Sequence, residues 1–211
     1  MDRNLLVWVN EQDEIVGYGE KLETHIKDQL HRAFSVFIFD WSDGTMLIQR
    51  RAFDKYHSGG LWSNACCSHP RKGESMDVAI NNRLKDELGF SCSCHIKDPT
   101  DFDLLLDGPN VIYYCGKFQY FAQFEGLSEH EIDNVYLFSP DHNGFSKNDF
   151  IINPKEVAEI KWIKIEELKE WLGNAPNDFS AWFRTAFELS YEVLCRQARN
   201  RDIFYSFHGQ G

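Results

Sequence analysis

The sequence lacks any long uncharged hydrophobic run. No segment approaches the roughly 20 apolar residues that span a bilayer, and the first thirty residues, which begin MDRNLLVWVNEQDE, contain no uncharged run of signal-peptide length. We therefore expect a cytoplasmic protein with no membrane partner. Basic residues are also few, since 22 Lys and Arg stand against 33 Asp and Glu and give a formal net charge of -11. Such a field repels nucleic acid, so an anionic ligand must find a local basic pocket.

Cysteine is present, but its spacing lacks the pattern of a disulfide framework. The six cysteines are Cys66, Cys67, Cys92, Cys94, Cys115 and Cys195. A chain of 211 residues with 43% hydrophobic content can bury a stable core without crosslinks, so we expect reduced thiols. The sequence also lacks repeats of 20 to 50 residues and low-complexity segments. These absences indicate a single domain over residues 1–211.

Hydrophobic periodicity predicts a sheet covered by helices. The opening VWVNEQDEIVGYGEK is typical of two short strands around a polar turn. Residues 33–40 and 45–52 are predicted to form a hairpin, and residues 75–88 an amphipathic helix that Gly89 ends. Further predicted strands are 111–124, 132–138 and 157–163, and further predicted helices are near 165–173 and 179–198. The fold class is therefore α/β (α+β), with a mixed β-sheet sandwiched between helices.

Histidines and carboxylates recur in a pattern that suits a metal ion. The segment Leu61 to Gly89 crowds a thiol, an imidazole and several carboxylates around one predicted strand-to-helix turn. Glu129 and Glu131 lie two residues apart, which places both carboxylates on one face of an extended segment. Together with three histidines they supply the donors of one octahedral site, and imidazole with carboxylate suits manganese, zinc or iron better than magnesium. The proposed ligands are His25, His31, His69, Glu129 and Glu131. The remaining histidines, His57, His95, His130, His142 and His208, are interpreted as surface or hydrogen-bonded residues.

Five motifs resemble type 1 isopentenyl-diphosphate isomerase and are spread over most of the chain. They are HRAFSVFIF (31–39), LWSNACCSHP (61–70), GES (73–75), DELGF (86–90) and EHEIDNVYLF (129–138). That family is an offshoot of the Nudix hydrolase fold, so the resemblance implies a Nudix-type mixed sheet in a single domain.

The Nudix hydrolase signature, aligned from Ser68, is only partly kept. Asp86 is a conservative replacement, and the residues that match are Glu74, Leu84, Glu87, Gly89 and Phe90. The residues that depart are Ser68, Asn82 and Arg83, which stand where the signature has Gly, Arg and Glu. Replacing a helix carboxylate by Arg83 removes a magnesium ligand and adds a positive charge, so hydrolysis becomes the less favoured chemistry.

The resemblance implies an acid and a base for moving a carbon–carbon double bond through a tertiary carbocation. Cys67 and Glu131 would flank the substrate, with Glu131 delivering the first proton. Tyr120 would support Glu131, and the ring of Trp182 would face the carbocation. The catalytic cysteine of the family lies two residues before a metal-binding histidine, which selects Cys67. Cys66 is then interpreted as a small buried hydrophobic residue.

The resemblance also implies how the diphosphate is held. Lys21, Arg51 and Lys55 match the basic residues that grip it, and Ser68 can add a hydroxyl or backbone contact. Arg83 either faces the diphosphate or forms an exposed salt bridge. Glu87 would hold a Mg²⁺ ion that arrives with the substrate, and the histidine and glutamate site would hold one Mn²⁺ or Zn²⁺. The expected partner is a small isoprenoid diphosphate, bound by a monomer or a homodimer.

Two alternatives remain open on sequence grounds. A Nudix hydrolase of a nucleoside diphosphate derivative would depend on magnesium through Glu74, Asp86 and Glu87. A noncatalytic metal-binding module would keep the fold and retain metal without turnover. No chemistry is assigned to residues 107–117, to residues 139–150 or to the tail after Asn200.

Overall fold

Strands form the centre of the protein, and helices lie on both faces. The computed structural model describes residues 4–55, 57–91, 93–101, 110–139 and 146–208, and for residue 101 and residues 201–208 it describes the backbone only. The described strands are β1 (Leu6–Val9), β2 (Ile15–Gly19), β3 (His31–Asp40), β4 (Thr45–Arg51), β5 (Trp62–Asn64), β6 (Cys66–Ser68), β7 (His95–Lys97), β8 (Val111–Phe124), β9 (Leu127–Phe138) and β10 (Val157–Lys164). The described α-helices are α1 (Lys21–Ile26), α2 (Met76–Leu88), α3 (Ile165–Asn174) and α4 (Phe183–His208).

The sheet is mixed, with the main strand order β10-β4-β3-β9-β8-β7. Strands β3 and β9 pair in parallel, as do β7 and β8, whereas the other described pairs are antiparallel. The short strand β6 adds to β3 and places Cys67 opposite Ser35. The parallel register places His31 opposite Glu131. One strand, β3, therefore lies between the segments that carry the thiol and the two glutamates.

Alternate residues of β3 pack into two separate cores. Phe34, Val36 and Ile38 face the apolar side of α2, and all three are fully buried. Phe37 and Phe39 face the opposite way, toward a core that contains residues of α3 and α4. Burial on both faces explains the nearly continuous hydrophobic run of this central strand. The predicted mixed sheet between helices, in a single domain, is confirmed.

Several predicted elements are confirmed, and three boundaries are wrong. The hairpin of β3 and β4, the helix α2 and its left-handed end at Gly89 (φ 65°) are as predicted. Strand β9 begins at Leu127, five residues before the predicted start. Helix α4 begins at Phe183 and not at 179, and it ends at His208 and not at 198. The preceding residues cannot join the helix because Phe179 bridges to Trp62 and the Ser180 amide donates to the Trp62 carbonyl at 2.8 Å.

The expectation of reduced thiols is wrong at one position. Cys66, Cys67, Cys115 and Cys195 are free, but Cys94 is disulfide-bonded. The sequence argument considered only whether the whole core needs a crosslink, and a single bridge at Cys94 does not depend on that need. Asn81 of α2 holds the segment at Cys94, because its side chain exchanges two 2.8 Å hydrogen bonds with the backbone of that residue.

Some predictions concern residues outside the described ranges. These are Cys92, residues 107–109 of the segment 107–117, residues 140–145 of the insertion, and the side chains of the tail from residue 201. Among the described helices, none is both long enough and apolar enough to cross a membrane.

Candidate active site

One cavity gathers most of the residues that the sequence singled out. Those that line it are Lys21, Arg51, Lys55, Cys67, Ser68, His69, Arg83, Glu87, Tyr120, Glu129, Glu131 and Trp182. The other two predicted site residues, His25 and His31, are buried at 1% and 0% exposure against the two glutamates. The fold therefore brings together side chains from α1, α2, five strands and the turn before α4.

The five predicted metal ligands converge at one point. Ligand atoms of His25, His31, His69, Glu129 and Glu131 all lie within 4.8 Å of one another, and all five residues are buried. His69 Nε2 lies 2.6 Å from Glu131 Oε1, and His31 Nε2 lies 3.5 Å from the same oxygen. His25 Nε2 lies 3.6 Å from Glu129 Oε2. Three imidazoles and two carboxylates in this arrangement can hold a divalent metal ion.

The fit to a metal ion can be checked at His31. The backbone carbonyl of Gln29 accepts a 2.8 Å hydrogen bond from His31 Nδ1, which leaves the lone pair of a neutral ring on Nε2. That Nε2 atom is buried and has no hydrogen-bond partner among the described residues. A buried acceptor of this kind is expected where a metal binds, because an unsatisfied polar atom would otherwise be costly.

Burial controls the protonation of the cluster. It lowers the pKa of His25 to about 4 and that of His69 well below its usual value, so both imidazoles are neutral at neutral pH, the form that binds metal. Burial and the adjacent Glu131 charge raise the pKa of Glu129 to about 11. Burial would also raise the pKa of Glu131, but hydrogen bonding to Glu129 and the nearby His69 hold it well below its usual range.

Cys67 and Cys66 point to opposite sides of β6. Cys66 is fully buried in the core beside α2, as interpreted from the sequence. Cys67 lines the cavity, and Arg51 Nη1 lies 3.5 Å from its Sγ. Burial raises the pKa of the Cys67 thiol to about 12, partly offset by the positive charge of Arg51. The thiol is therefore protonated at neutral pH.

Tyr120 and Trp182 form the aromatic wall of the cavity. Tyr120 is paired with Glu131 across β8 and β9, and its hydroxyl donates a 2.5 Å hydrogen bond to Glu131 Oε2. The Trp182 and Tyr120 ring centroids lie 6.1 Å apart. Trp182 Nε1 donates a 3.1 Å hydrogen bond to Asn64 Oδ1, and the Arg51 guanidinium lies 5.3 Å from the indole centroid. Trp182 lies in the turn just before α4 and not on the helix.

Two cations of the cavity, Lys55 and Arg83, are held by acidic neighbours. Glu156 forms ion pairs with Lys55 and with Arg83 Nη2, the latter at 3.2 Å. Arg83 Nη2 also lies 2.6 Å from Glu87 Oε1, so Arg83 forms a half-buried salt bridge inside the cavity. The second oxygen of Glu87 accepts a 3.1 Å hydrogen bond from Gln49. We call the cations that line the cavity, Lys21, Arg51, Lys55 and Arg83, its basic end. They form the local pocket that an anionic ligand requires in a chain of net charge -11.

The three carboxylates that a Nudix hydrolase would use to bind magnesium do not line one cavity. Glu87 lines the main cavity, whereas Glu74 and Asp86 line a neighbouring one that shares His69 and Arg83 with it. There Glu74 accepts hydrogen bonds of 2.9 Å from the Asn82 side chain and 3.0 Å from the Arg71 amide. This separation argues against the hydrolase alternative.

Sequence reasoning missed three titratable side chains of the cavity. Asp133 continues the alternation of Glu129 and Glu131 by two residues, so period-two spacing could have identified it. His57 follows Lys55 by two residues and is 8% exposed, lining the cavity and not the surface. Glu156 has no sequence signal, since it depends on how β10 approaches β4. Of the other histidines, His95 is exposed and His130 bonds to the Asp28 carbonyl at 2.9 Å, whereas His142 and the side chain of His208 lie outside the described residues.

Comparisons with solved structures agree with this fold. The crystal structure of DR0079 from Deinococcus radiodurans matches with a TM-score of 0.56 and 18% identity, over 81% of this chain and 90% of that chain. A MutT protein from Methanosarcina mazei matches with a TM-score of 0.53 and 17% identity, over 77% of this chain and 94% of that chain. At these identities the similarity establishes the fold alone.

Sequence comparisons establish the family. The family model described as NUDIX domain matches residues 29–183. The chain is 37% identical over 191 residues to isopentenyl-diphosphate Delta-isomerase 2 of Photorhabdus laumondii, with 90% of this chain and 94% of that protein covered. It is 39% identical over 183 residues to isopentenyl-diphosphate Delta-isomerase of Burkholderia multivorans, with 87% and 90% covered. The chain therefore belongs to the isopentenyl-diphosphate Delta-isomerase family of NUDIX domain proteins.

Proposed function

We propose that this protein isomerises isopentenyl diphosphate to dimethylallyl diphosphate by protonation and deprotonation through a tertiary carbocation. The observation that carries the proposal is the convergence of Cys67, Glu131 and the basic end on one cavity. The same cavity offers cations that suit a diphosphate together with an acid, a base and an aromatic wall. The names of relatives that are 37% and 39% identical over about nine-tenths of the chain support the same reaction.

The diphosphate is bound at the basic end. Lys21, Arg51, Lys55 and Ser68 all line the cavity, so each is placed to contact the phosphate oxygens. Lys55 exchanges its ion pair with Glu156 for a phosphate when the substrate arrives. Glu87 supplies a carboxylate for a Mg²⁺ ion that is delivered with the diphosphate, since Mg²⁺ is commonly held by one or two carboxylates and substrate phosphates.

Proton transfer is assigned to Glu131 and Cys67. Hydrogen bonding holds Glu131 ionised in the resting site, so it first takes up the proton that the Cys67 thiol gives up. Glu131 then protonates the terminal carbon of the double bond, and Tyr120 holds the carboxyl through its 2.5 Å hydrogen bond. Cys67 removes the proton that completes the shift, and the roles reverse in the opposite direction. The thiol must ionise before it accepts a proton, and the Arg51 guanidinium 3.5 Å from Sγ is placed to stabilise the thiolate. The five-ligand cluster of His25, His31, His69, Glu129 and Glu131 would hold a Mn²⁺ or Zn²⁺ ion, which would supply positive charge that offsets the two glutamates.

Trp182 stabilises the carbocation. Its ring is 4% exposed, and it lines the cavity beside Tyr120. A desolvated cation on an aromatic face gains about 2 kcal/mol or more. The same burial keeps water from capturing the cation, which would otherwise yield an alcohol.

The test is an assay of purified protein that follows both the allylic isomer and free phosphate. The wild-type protein should form the isomer without releasing phosphate, and Cys67→Ala and Glu131→Gln should each abolish the reaction without unfolding the protein. Cys195→Ala is the matched control, because Cys195 is a free thiol on α4 outside the cavity. Phosphate release would favour the hydrolase alternative, and metal retention without any product would favour the noncatalytic module. The cytoplasmic location and the monomeric or homodimeric state remain predictions.

A further inference from the structure

We propose that His57 is a positioning residue of the metal centre, which holds one oxygen of Glu129 so that the other oxygen faces the three histidine ligands. The inference uses the metal site of the proposed function, but it concerns metal affinity and not turnover. It can therefore be tested whether or not the protein isomerises its substrate.

The two oxygens of Glu129 have separate neighbours. His57 Nε2 lies 2.5 Å from Oε1. Oε2 lies 3.6 Å from His25 Nε2, 3.9 Å from His69 Nε2 and 4.0 Å from His31 Nε2. A carboxylate can rotate about its last side-chain bond, and a nitrogen beside Oε1 sets that rotation. The outcome is that Oε2 points into the ligand cluster.

The proton needed for this contact can lie on His57 Nε2. Ser58 Oγ lies 3.4 Å from His57 Nδ1, and a hydroxyl that donates to Nδ1 leaves the ring proton on Nε2. Residues that contact a metal ligand without binding the metal orient that ligand, and their loss typically weakens metal binding by about 10- to 100-fold. His57 does not need to be a ligand itself, because it is not among the five residues whose ligand atoms all lie within 4.8 Å of one another.

The loop between β4 and β5 fixes the position of His57. The Gly60 amide donates to the Arg51 carbonyl at 3.1 Å, and the chain passes Ser58 and Gly60 with positive φ values of 51° and 75°. Gly59 lies so close to the backbone that an added Cβ would come within 2.7 Å of the Phe53 carbonyl oxygen. The same loop carries Lys55, so one tightly packed segment serves both the basic end and the metal centre.

The ring of His57 also packs against aromatic residues, and a packing role must be separated from a polar one. Its centroid lies 5.1 Å from that of Phe124 and 6.1 Å from that of Trp182. A ring that only fills space could be replaced by phenylalanine without changing metal binding. A ring that holds Oε1 could be replaced by glutamine, whose amide nitrogen reaches the position of Nε2, but not by the shorter asparagine.

The experiment measures Mn²⁺ and Zn²⁺ dissociation constants of metal-stripped protein by competition with a chromogenic chelator. We expect His57→Phe and His57→Asn to weaken binding by about 10- to 100-fold and His57→Gln to stay within about tenfold of wild type. His130→Gln is the matched control, because His130 lies between the two glutamate ligands on β9 but bonds to the Asp28 carbonyl away from the cluster. Its dissociation constant should not change.

Two results would overturn the inference. Wild-type metal affinity in His57→Phe would mean that the His57 ring only packs against its neighbours. Equal losses of metal affinity in the phenylalanine, asparagine and glutamine variants would make His57 a direct ligand. If His57→Phe does not fold, the comparison of glutamine with asparagine decides between the same outcomes. Failure of isomerase activity in the wild type would contradict the proposed function but would leave these affinities interpretable.

Discussion

The Tyr120 hydroxyl donates a 2.5 Å hydrogen bond to Glu131 Oε2, while Glu131 Oε1 lies 2.6 Å from His69 Nε2. One carboxylate thus has one oxygen for the metal cluster and one for the proton chemistry. The division follows from the direct pairing of Tyr120 with Glu131 across β8 and β9. This division explains how Glu131 can serve both as the proposed metal ligand and as the proposed proton donor.

Tyr120→Phe should lower kcat by about 10- to 100-fold, because a hydrogen bond to a charged group contributes about 1.5–3 kcal/mol. KM should change little, since the hydroxyl contacts Glu131 and not the diphosphate end. Steady-state kinetics on the wild type and the variant would measure both values. An unchanged kcat would remove Tyr120 from the proton-transfer step.

Alkylation of Cys67 should be slow at neutral pH and should accelerate with pH. Burial raises the pKa of this thiol to about 12, so below that value the reactive thiolate fraction grows about tenfold per pH unit. Iodoacetamide labelling of the substrate-free protein between pH 7 and 10, read by mass spectrometry, would measure the rate. Cys67→Ala provides the background from other thiols. A rate that reaches a plateau near pH 8 would contradict the raised pKa.

Asn64 should affect catalysis through Trp182. Its Oδ1 accepts the Trp182 indole hydrogen at 3.1 Å, and its Nδ2 donates to the Cys66 carbonyl at 2.5 Å. Trp182→Ala should lower kcat by about 30-fold, the equivalent of about 2 kcal/mol. Asn64→Ala should lower kcat in the wild type but much less in Trp182→Phe, which has no indole hydrogen.

The unfolding temperature separates this effect from simple destabilisation. Asn64→Ala removes a donor to the buried carbonyls of Cys66 and Val36, so it should lower the unfolding temperature in both backgrounds. Equal losses of kcat in both backgrounds would show that Asn64 does not act through the Trp182 ring.

Removal of the divalent metal should destabilise the protein. The cluster buries two carboxylates among neutral imidazoles, and ligand binding to the folded state stabilises it by about 2.7 kcal/mol at 100 times the dissociation constant. Thermal unfolding with and without a chelator would measure the shift. Glu131→Gln should reduce it, because the variant loses one anionic ligand. An identical unfolding temperature in both conditions would contradict metal binding at this site.

The sequence predicted the site better than it predicted the ends of elements. The spacing of Glu129 and Glu131 was sufficient to place both on one face, because a strand has a fixed alternation. The start of α4 at Phe183 could not be predicted, since it depends on a contact of Phe179 with the distant Trp62. His57 was missed for a similar reason, because its burial depends on how a loop folds over β9.

The metal cluster shows which information was missing. His25, His31 and His69 lie on three separate segments, and nothing in their spacing along the chain indicates that they meet. Their grouping in the sequence analysis rested on donor chemistry, because imidazole and carboxylate together suit one metal ion. In the structure, the parallel pairing of β3 with β9 places His31 beside Glu131. The positions of residues that follow the alternation of a strand could be predicted from the sequence. The positions of residues that long-range packing brings together could not.

Proton NMR of isopentenyl diphosphate, incubated with the metal-replete protein and Mg²⁺ in deuterated water, tests the central proposal most directly. Protonation from an exchangeable group predicts dimethylallyl diphosphate with deuterium in the new methyl group and no free phosphate. Glu131→Gln should abolish the deuterium incorporation together with the product. Free phosphate, product without deuterium in the new methyl group, or unchanged substrate would each contradict the account.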